Sequence, residues 1–293
     1  MNDIHFTIER GQSLAFTGQG RGVYCGRQGV NVIMQWPGCG KPDGICGVCT
    51  MKIIIEFIRY QYRQYILSAK YVVPLIALFA VFGVMYSITP IAVVSNFAIM
   101  SLVLSMVMAG IGMTCQETEP EVSEQIVILR MQSERKYYIG QVLFAMLLSG
   151  IVTGLSLCYP VIFHYLHKGM LFTRNIQMSD IIGGFLLMYA CSFVGCMVGG
   201  IFSPRILRER KMAAALTIIC TLVSVVKIGL MDEFPIAKYI LWLIPPVSDM
   251  VRWFMKEDYF QMGKVIEAFF VLMAYGSALA VIKVELSRIR KFS

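Results

Sequence analysis

Charged residues are scarce in this sequence. Only 15% of its 293 residues are Asp, Glu, Lys or Arg, whereas soluble domains contain about 25%. From about Tyr71 to Leu286, long apolar stretches contain almost no charge, and they lack the polar face that each helix of a soluble bundle needs. The shortage of charge therefore excludes a soluble helical bundle and indicates a protein that lies in a lipid bilayer.

Three further absences limit the possible chemistry. No chain of Asp, Glu or His crosses the apolar stretches, which argues against a proton-driven mechanism. Met1 to Gly22 has neither a basic start nor an apolar centre, so we expect no signal peptide. The net charge is +8, but the basic residues cluster beside the ends of the apolar stretches, as topology signals do, and we therefore expect no nucleic-acid partner.

Six apolar stretches are present, at 71–88, 91–113, 139–163, 181–202, 212–230 and 264–282. Each is close to the ~20 residues that a helix needs to cross the hydrocarbon core. Helices leave no backbone group unpaired in lipid. The sequence therefore predicts an all-α polytopic membrane protein with six transmembrane helices.

Residues 52–70 have the pattern of an amphipathic helix. Ile55, Ile58, Tyr62 and Ile66 fall on one helical face, and the charged residues fall elsewhere. Such a helix lies in the membrane interface, so we expect an N-terminal amphipathic interfacial helix before the first span.

Lysine and arginine are distributed unequally between the joints. One side of the membrane would carry the basic residues of 59–70, 130–136, 205–211 and 288–291, and the other side has fewer. The richer side is cytoplasmic by the positive-inside rule. We therefore expect a multi-pass protein of the cell membrane in which both ends of the membrane domain are cytoplasmic.

A few residues inside or beside the spans need an explanation. Lys227 lies about one turn from the end of the fifth span, so we expect it to snorkel, with a role as a substrate counter-charge as the alternative. Gly195 and Gly199 give the fourth span a small-residue face that favours close helix packing. His164 and His167 lie in a joint, where we expect surface residues rather than metal ligands.

The polar joint after the second span has an ordered charge pattern. Acidic residues come first, an apolar group follows, and basic residues end it; the residues concerned are Glu119, Glu121, Glu124, Ile126, Leu129, Arg130 and Arg135. Acids at the start and bases at the end of a helix suit its dipole. The pattern predicts a short cytoplasmic helix over 117–138 with an apolar ridge, and a solvated connector is the alternative.

Together, the interfacial helix, six spans, the charged helix after the second span and a segment rich in Pro and Trp before the last span resemble an ABC-2 type transporter permease. The resemblance covers about 51–293 and rests on architecture. It implies that 117–138 is a coupling helix whose residues named above contact a partner ABC ATPase subunit. It also implies a second permease subunit, ATP hydrolysis in a separate chain, no catalytic residue, no cofactor in this chain, and a re-entrant element at 236–255 that Pro245 and Pro246 interrupt.

The first fifty residues form a separate Gly- and Cys-rich leader that we expect to be poorly ordered. Residues 3–18 resemble the strand that enters the phosphate loop of an ABC ATPase, but no Gly-Lys-Ser/Thr loop follows, so we expect no nucleotide binding. Cys39-x6-Cys46-x2-Cys49 resembles part of a ferredoxin [2Fe–2S] loop, whose spacing is C-x4-C-x2-C. A membrane-anchored iron–sulfur redox protein is therefore an alternative, as are a structural zinc site in the leader and a six-span membrane protein of another family.

Overall fold

The structure is a computed structural model. It describes residues 5–8, 12–15, 24–27, 30–33, 47–87, 90–119, 121–131, 133–166, 171–203, 209–233, 245–255 and 257–290. The chain divides into two compact units. Unit 1 comprises Met1–Ala69 and Thr118–Phe144, and unit 2 comprises Lys70–Glu117 and Ala145–Ser293.

Four short strands lie within the first fifty residues. Strand β1 (His5–Ile8) pairs with β2 (Gln12–Ala15), and β3 (Tyr24–Arg27) pairs with β4 (Val30–Ile33). Both pairs are antiparallel. Residues 3–18 resemble a single strand in sequence, whereas the structure places two paired strands within them, and the β3–β4 pair was not predicted.

From Gly47 onwards, all the regular elements that the structure describes are helices. The helices are α1 (Gly47–Leu67), α2 (Val72–Met85), α3 (Val93–Gln116), α4 (Glu121–Met131), α5 (Glu134–Leu166), α6 (Met178–Ile201), α7 (Arg210–Glu233), α8 (Val247–Arg252) and α9 (Met262–Arg290). Helix α1 ends at a turn in which Ala69 adopts a left-handed φ of 52°, a conformation common just after a helix.

Four of these helices are long and apolar enough to cross a membrane: α3, α5, α6 and α9. A fifth span is possible if Ile53–Leu67 and Val72–Met85, which a short break separates, count as one. The four helices agree with a polytopic membrane protein, but the predicted number of six is not confirmed. Helix α2 has only 14 residues, and α7 contains Arg210, Lys211 and Lys227 among its described side chains.

The fourth predicted span packs closely on the second, as its glycines indicate. A Cβ on Gly195 would overlap the carbonyl oxygen of Ser105, and one on Gly199 would overlap that of Ala109. Gly112 of α3 faces the Cys196 carbonyl of α6 in the same way. Small residues thus let the backbones of α3 and α6 meet directly, which confirms the expected close packing.

The helix ends in unit 2 meet in two groups. The segment before α3 pairs with the segment before α6, where Ile91 donates its N–H to the Leu171 carbonyl at 3.0 Å and accepts from Thr173 at 3.1 Å. At the other end, Glu117 after α3 forms ion pairs with Lys70 at 3.5 Å and Arg210 at 3.2 Å. The starts of α3 and α6 therefore lie together, and the end of α3 lies with the starts of α2 and α7.

Aromatic rings join α2 to α5. The Phe82 and Tyr159 rings stack with centroids 4.8 Å apart, and Tyr86 lies 5.6 Å from Tyr159. The Tyr86 hydroxyl also accepts a 3.0 Å hydrogen bond from the buried Asn96 amide of α3. These contacts hold α2 against its neighbours even though it is short.

The cytoplasmic helix predicted over 117–138 is shorter than expected, and this prediction was wrong in its bounds. Helix α3 continues to Gln116, α4 covers Glu121–Met131, and α5 already begins at Glu134. Pro120 lies between α3 and α4, and helices usually end at or before the residue that precedes a proline. Ser133 directly precedes α5, and serine favours the N-cap position.

Candidate functional site

The residues predicted to contact a partner do not share one surface. Leu129 is 78% exposed, Arg135 is exposed and Ile126 is half-buried. Glu119 and Glu124 are buried, at 7% and 8% exposure. The side chains of Glu121 and Arg130 lie outside the described residues. The structure therefore presents Leu129 outward and places the two described acidic side chains inside the unit.

Glu119 belongs to a hydrogen-bond network within unit 1. The Tyr137 hydroxyl donates to its Oε2 at 2.7 Å, and the Gln61 amide donates to the same oxygen at 3.3 Å. The Gln141 amide in turn donates to the Tyr137 hydroxyl at 2.9 Å. Glu119 thus links α1 to the start of α5, which is a positioning role rather than a surface contact.

Helix α4 is anchored by its own apolar residues. Val127 and Met131 are buried, at 5% and 2% exposure, and their i, i+4 spacing puts them on one helical face. Leu129 lies between them in sequence and projects from the opposite side. Helix α4 therefore buries one side within unit 1 and presents Leu129 on the other.

Helix α1 buries one face and exposes the other. Phe57 packs on Tyr137, with ring centroids 5.2 Å apart, and fits against Gly140, where a Cβ would come within 2.5 Å of the ring. The face predicted to be apolar remains uncovered, with Ile55 59% exposed and Ile66 42% exposed. The structure therefore leaves free the face that an interfacial helix would turn towards lipid.

Lys227 of α7 does not snorkel, so that prediction was wrong. Its Nζ lies 2.6 Å from Asp249 Oδ2 of α8, and its side chain is only 5% exposed. The carboxylate supplied by α8 removes the need to reach water, since a buried charge requires a partner. The nearby Ser224 hydroxyl donates to the Pro245 carbonyl at 3.1 Å.

Arg174 connects the segments that precede α6 and α9. Its guanidinium forms two hydrogen bonds, of 2.6 and 2.9 Å, to the fully buried carboxylate of Asp180. It also donates to the Asp258 carbonyl at 2.8 Å and lies 4.3 Å from the Tyr259 ring centre. The hydrogen bonds to Asp180 raise the pKa of Arg174 above its ordinary value. The contact is therefore a fixed charge pair that ties the start of α6 to the start of α9.

The structure offers no metal site among the residues it describes. No group of three or more His, Cys, Asp or Glu side chains within them is arranged to hold an ion. His164 is 3% exposed and packs 5.2 Å from the Phe172 ring, so the expectation of a surface residue was wrong; His167 lies outside the described residues. The cysteine side chains of the leader, on which the iron–sulfur and zinc alternatives depend, also lie outside the described residues.

Sequence reasoning missed two features of unit 2. The first is Asp249, whose role as the partner of Lys227 depends on a contact across 22 positions. The second is a buried polar face on α7 formed by Thr217, Thr221, Ser224 and Lys227. Their spacing of four, three and three residues was a usable signal, because it places all four on one side of a helix.

No protein-family model matches the chain, and no curated protein or solved structure shows significant similarity to it.

Proposed function

We propose that this chain is the membrane-spanning permease subunit of an ATP-driven ABC transporter of the ABC-2 type, working in export. In this proposal it lies in the cell membrane as six spans, α2, α3, α5, α6, α7 and α9, with both ends of the membrane domain cytoplasmic. ATP hydrolysis takes place in a separate ABC ATPase subunit. A second permease subunit completes the transport path.

The way the helix ends meet supports the six-span arrangement. Helices that cross a membrane in sequence alternate in direction, so the end of α3 should lie with the starts of α2 and α7. The ion pairs of Glu117 with Lys70 and Arg210 join these three ends. The starts of α3, α6 and α9 should meet on the other side, and the Ile91 and Arg174 contacts join them.

The observation that carries the coupling proposal is Leu129. Helix α4 is short and lies along the chain between α3 and α5, which are both long and apolar enough to cross a membrane. Its buried residues fix it within unit 1, while Leu129 is 78% exposed. Motion of a partner ATPase pressed against Leu129 would pass along the chain into α3 and α5.

The proposal is tested by purifying the full-length chain from its native membranes and measuring how much ABC ATPase accompanies it. Burial of one leucine stabilises an interface by about 1.5–3 kcal/mol. We therefore expect Leu129→Asp to reduce the recovered ATPase by about tenfold or more, since tenfold corresponds to about 1.4 kcal/mol.

Leu143→Ala provides the control, because Leu143 is an exposed leucine of the same unit within a predicted span. It should leave ATPase recovery unchanged. Recovery of no ABC ATPase with the unaltered chain, or equal recovery with both variants, contradicts the proposal. Membrane insertion of each variant is checked by extraction with carbonate, so that loss of the protein is not mistaken for loss of the partner.

A further inference from the structure

Helix α7 has a buried polar face that divides into two halves. Thr217 and Thr221 donate their hydroxyl hydrogens to carbonyls of their own helix, at 2.8 Å each. Ser224 and Lys227 instead bond outside the helix, to the Pro245 carbonyl and the Asp249 carboxylate. The second half of the polar face therefore holds the segment that begins at Pro245.

A small cavity lies beside this contact. Its lining comes from α3, α6, α7 and α8 and from the segment before α8: Ser105, Val194, Gly195, Val198, Cys220, Thr221, Ser224, Pro245 and Val247. The space holds about one water molecule. Pro245 and Val247 form one wall, so movement of α8 and the two prolines before it would widen the cavity.

The two charges of the ion pair are unequally exposed. The Lys227 side chain is 5% exposed, whereas the Asp249 side chain is 33% exposed. Separation by movement of α8 therefore leaves the lysine buried without its partner, whereas the carboxylate starts from a more exposed position. Because a buried charge without a partner is costly, the pair favours the closed position strongly. Asp249, which is less buried than Lys227, is the member that can move away.

We propose that the Lys227–Asp249 ion pair is a latch that holds α8 over the cavity, and that its opening exposes the polar face of α7. This inference goes beyond ATPase coupling and does not depend on it. In the closed state the pair and the Ser224 hydrogen bond hold one wall in place. In the open state, hydroxyl groups and a lysine become accessible inside a unit whose other helices are mainly apolar.

Cys220 is a native reporter of this opening, because it lines the cavity. The full-length chain in lipid nanodiscs is treated with N-ethylmaleimide, and modification of each cysteine is followed over time by peptide mass spectrometry. We expect Asp249→Asn to increase the modification rate of Cys220 by about tenfold or more. A tenfold increase corresponds to a shift of about 1.4 kcal/mol in the free energy of opening.

A double variant separates the latch from the effect of an unpaired charge. Lys227→Met combined with Asp249→Asn removes both charges and keeps similar side-chain volumes, a change that folded proteins often tolerate. It should also increase Cys220 modification. Glu257→Gln, which breaks the more exposed Glu257–Lys264 pair of 2.8 Å, should leave it unchanged.

Cys191 distinguishes local opening from unfolding, since it is fully buried in α6. The proposal requires Cys191 to stay unmodified while Cys220 reacts. Two results overturn it: Cys220 reacting at the unaltered rate in both latch variants, or Cys191 reacting in parallel with Cys220, which would show that the pair stabilises the whole unit rather than one wall.

Discussion

The Tyr137 hydroxyl donates a 2.7 Å hydrogen bond to the carboxylate of Glu119, joining residues on either side of α4. Glu119 precedes the helix and Tyr137 lies in the first turns of α5. The bond therefore ties together the two segments that flank α4 in the chain. Helix α4 is presented as part of a braced loop rather than as a free connector.

We expect Tyr137→Phe to loosen α4. The substitution keeps the ring that packs on Phe57 and removes the hydroxyl, so Glu119 loses its 2.7 Å hydrogen bond while buried. A hydrogen bond to a charged group contributes about 1.5–3 kcal/mol to the stability of the folded protein. Hydrogen–deuterium exchange followed by mass spectrometry should show faster exchange of the amides in 121–131.

Tyr62→Phe is the matched control, because Tyr62 is 41% exposed on the other face of α1. Its exchange pattern should equal that of the unaltered chain. If Tyr137→Phe also leaves the exchange of 121–131 unchanged, the bond to Glu119 does not brace the helix.

Gly199→Ala should destabilise unit 2. The added methyl group would overlap the Ala109 carbonyl oxygen, so α3 and α6 must move apart. Overpacking of this kind lowers the free energy of unfolding by about 1–3 kcal/mol. The melting temperature of the detergent-purified chain, measured by size-exclusion chromatography after heating, should fall.

Gly154→Ala tests whether the effect is specific to the helix contact. Nothing lies within 4 Å of the Cβ position at Gly154, and alanine is the better helix former. This variant should melt at the same temperature or higher. Equal loss of stability in both variants would contradict the account of α3–α6 packing.

Arg174→Lys should weaken the contact between the segments before α6 and α9. Lysine cannot form both hydrogen bonds to the buried Asp180 carboxylate, and its compact charge replaces a planar group over the Tyr259 ring. We expect a stability loss of about 1–3 kcal/mol in thermal unfolding. Arg288→Lys, at an exposed pair with Glu285, should have little effect, and an effect of similar size there would count against the role of Arg174.

Much of the helical framework can be predicted from the sequence, since a long apolar run in lipid has few alternatives to a helix. Each of the six predicted stretches corresponds to a helix, and most ends lie close to the expected bounds, but α9 continues to Arg290 instead of ending near 282. Only four of these helices are long and apolar enough to cross a membrane, so the predicted number of spans is not confirmed. The glycines of α6 also indicated close packing correctly. The bounds of α4 were harder to predict, because one polar stretch contains the end of α3, all of α4 and the start of α5.

The roles of polar side chains could not be predicted as well, because they depend on distant partners. Glu119 lies in a polar stretch in which acidic residues are expected at the surface. It is buried instead, and one of its partners is Gln61, which lies 58 positions away. Lys227 has the position of a snorkelling lysine, and its burial depends on Asp249. Local patterns show where a helix lies, whereas long-range pairing decides which charged groups reach the surface.

The most direct test of the coupling proposal is a photo-cross-link from Leu129. A benzoylphenylalanine at position 129 of the full-length chain is activated in native membranes, and the cross-linked protein is sequenced, with position 143 as the control. The account predicts a cross-link from 129 to a protein that carries the phosphate loop Gly-x4-Gly-Lys-Ser/Thr, and none from 143. Cross-links to such an ATPase from Met212, an exposed residue at the start of α7, but not from 129, would contradict it.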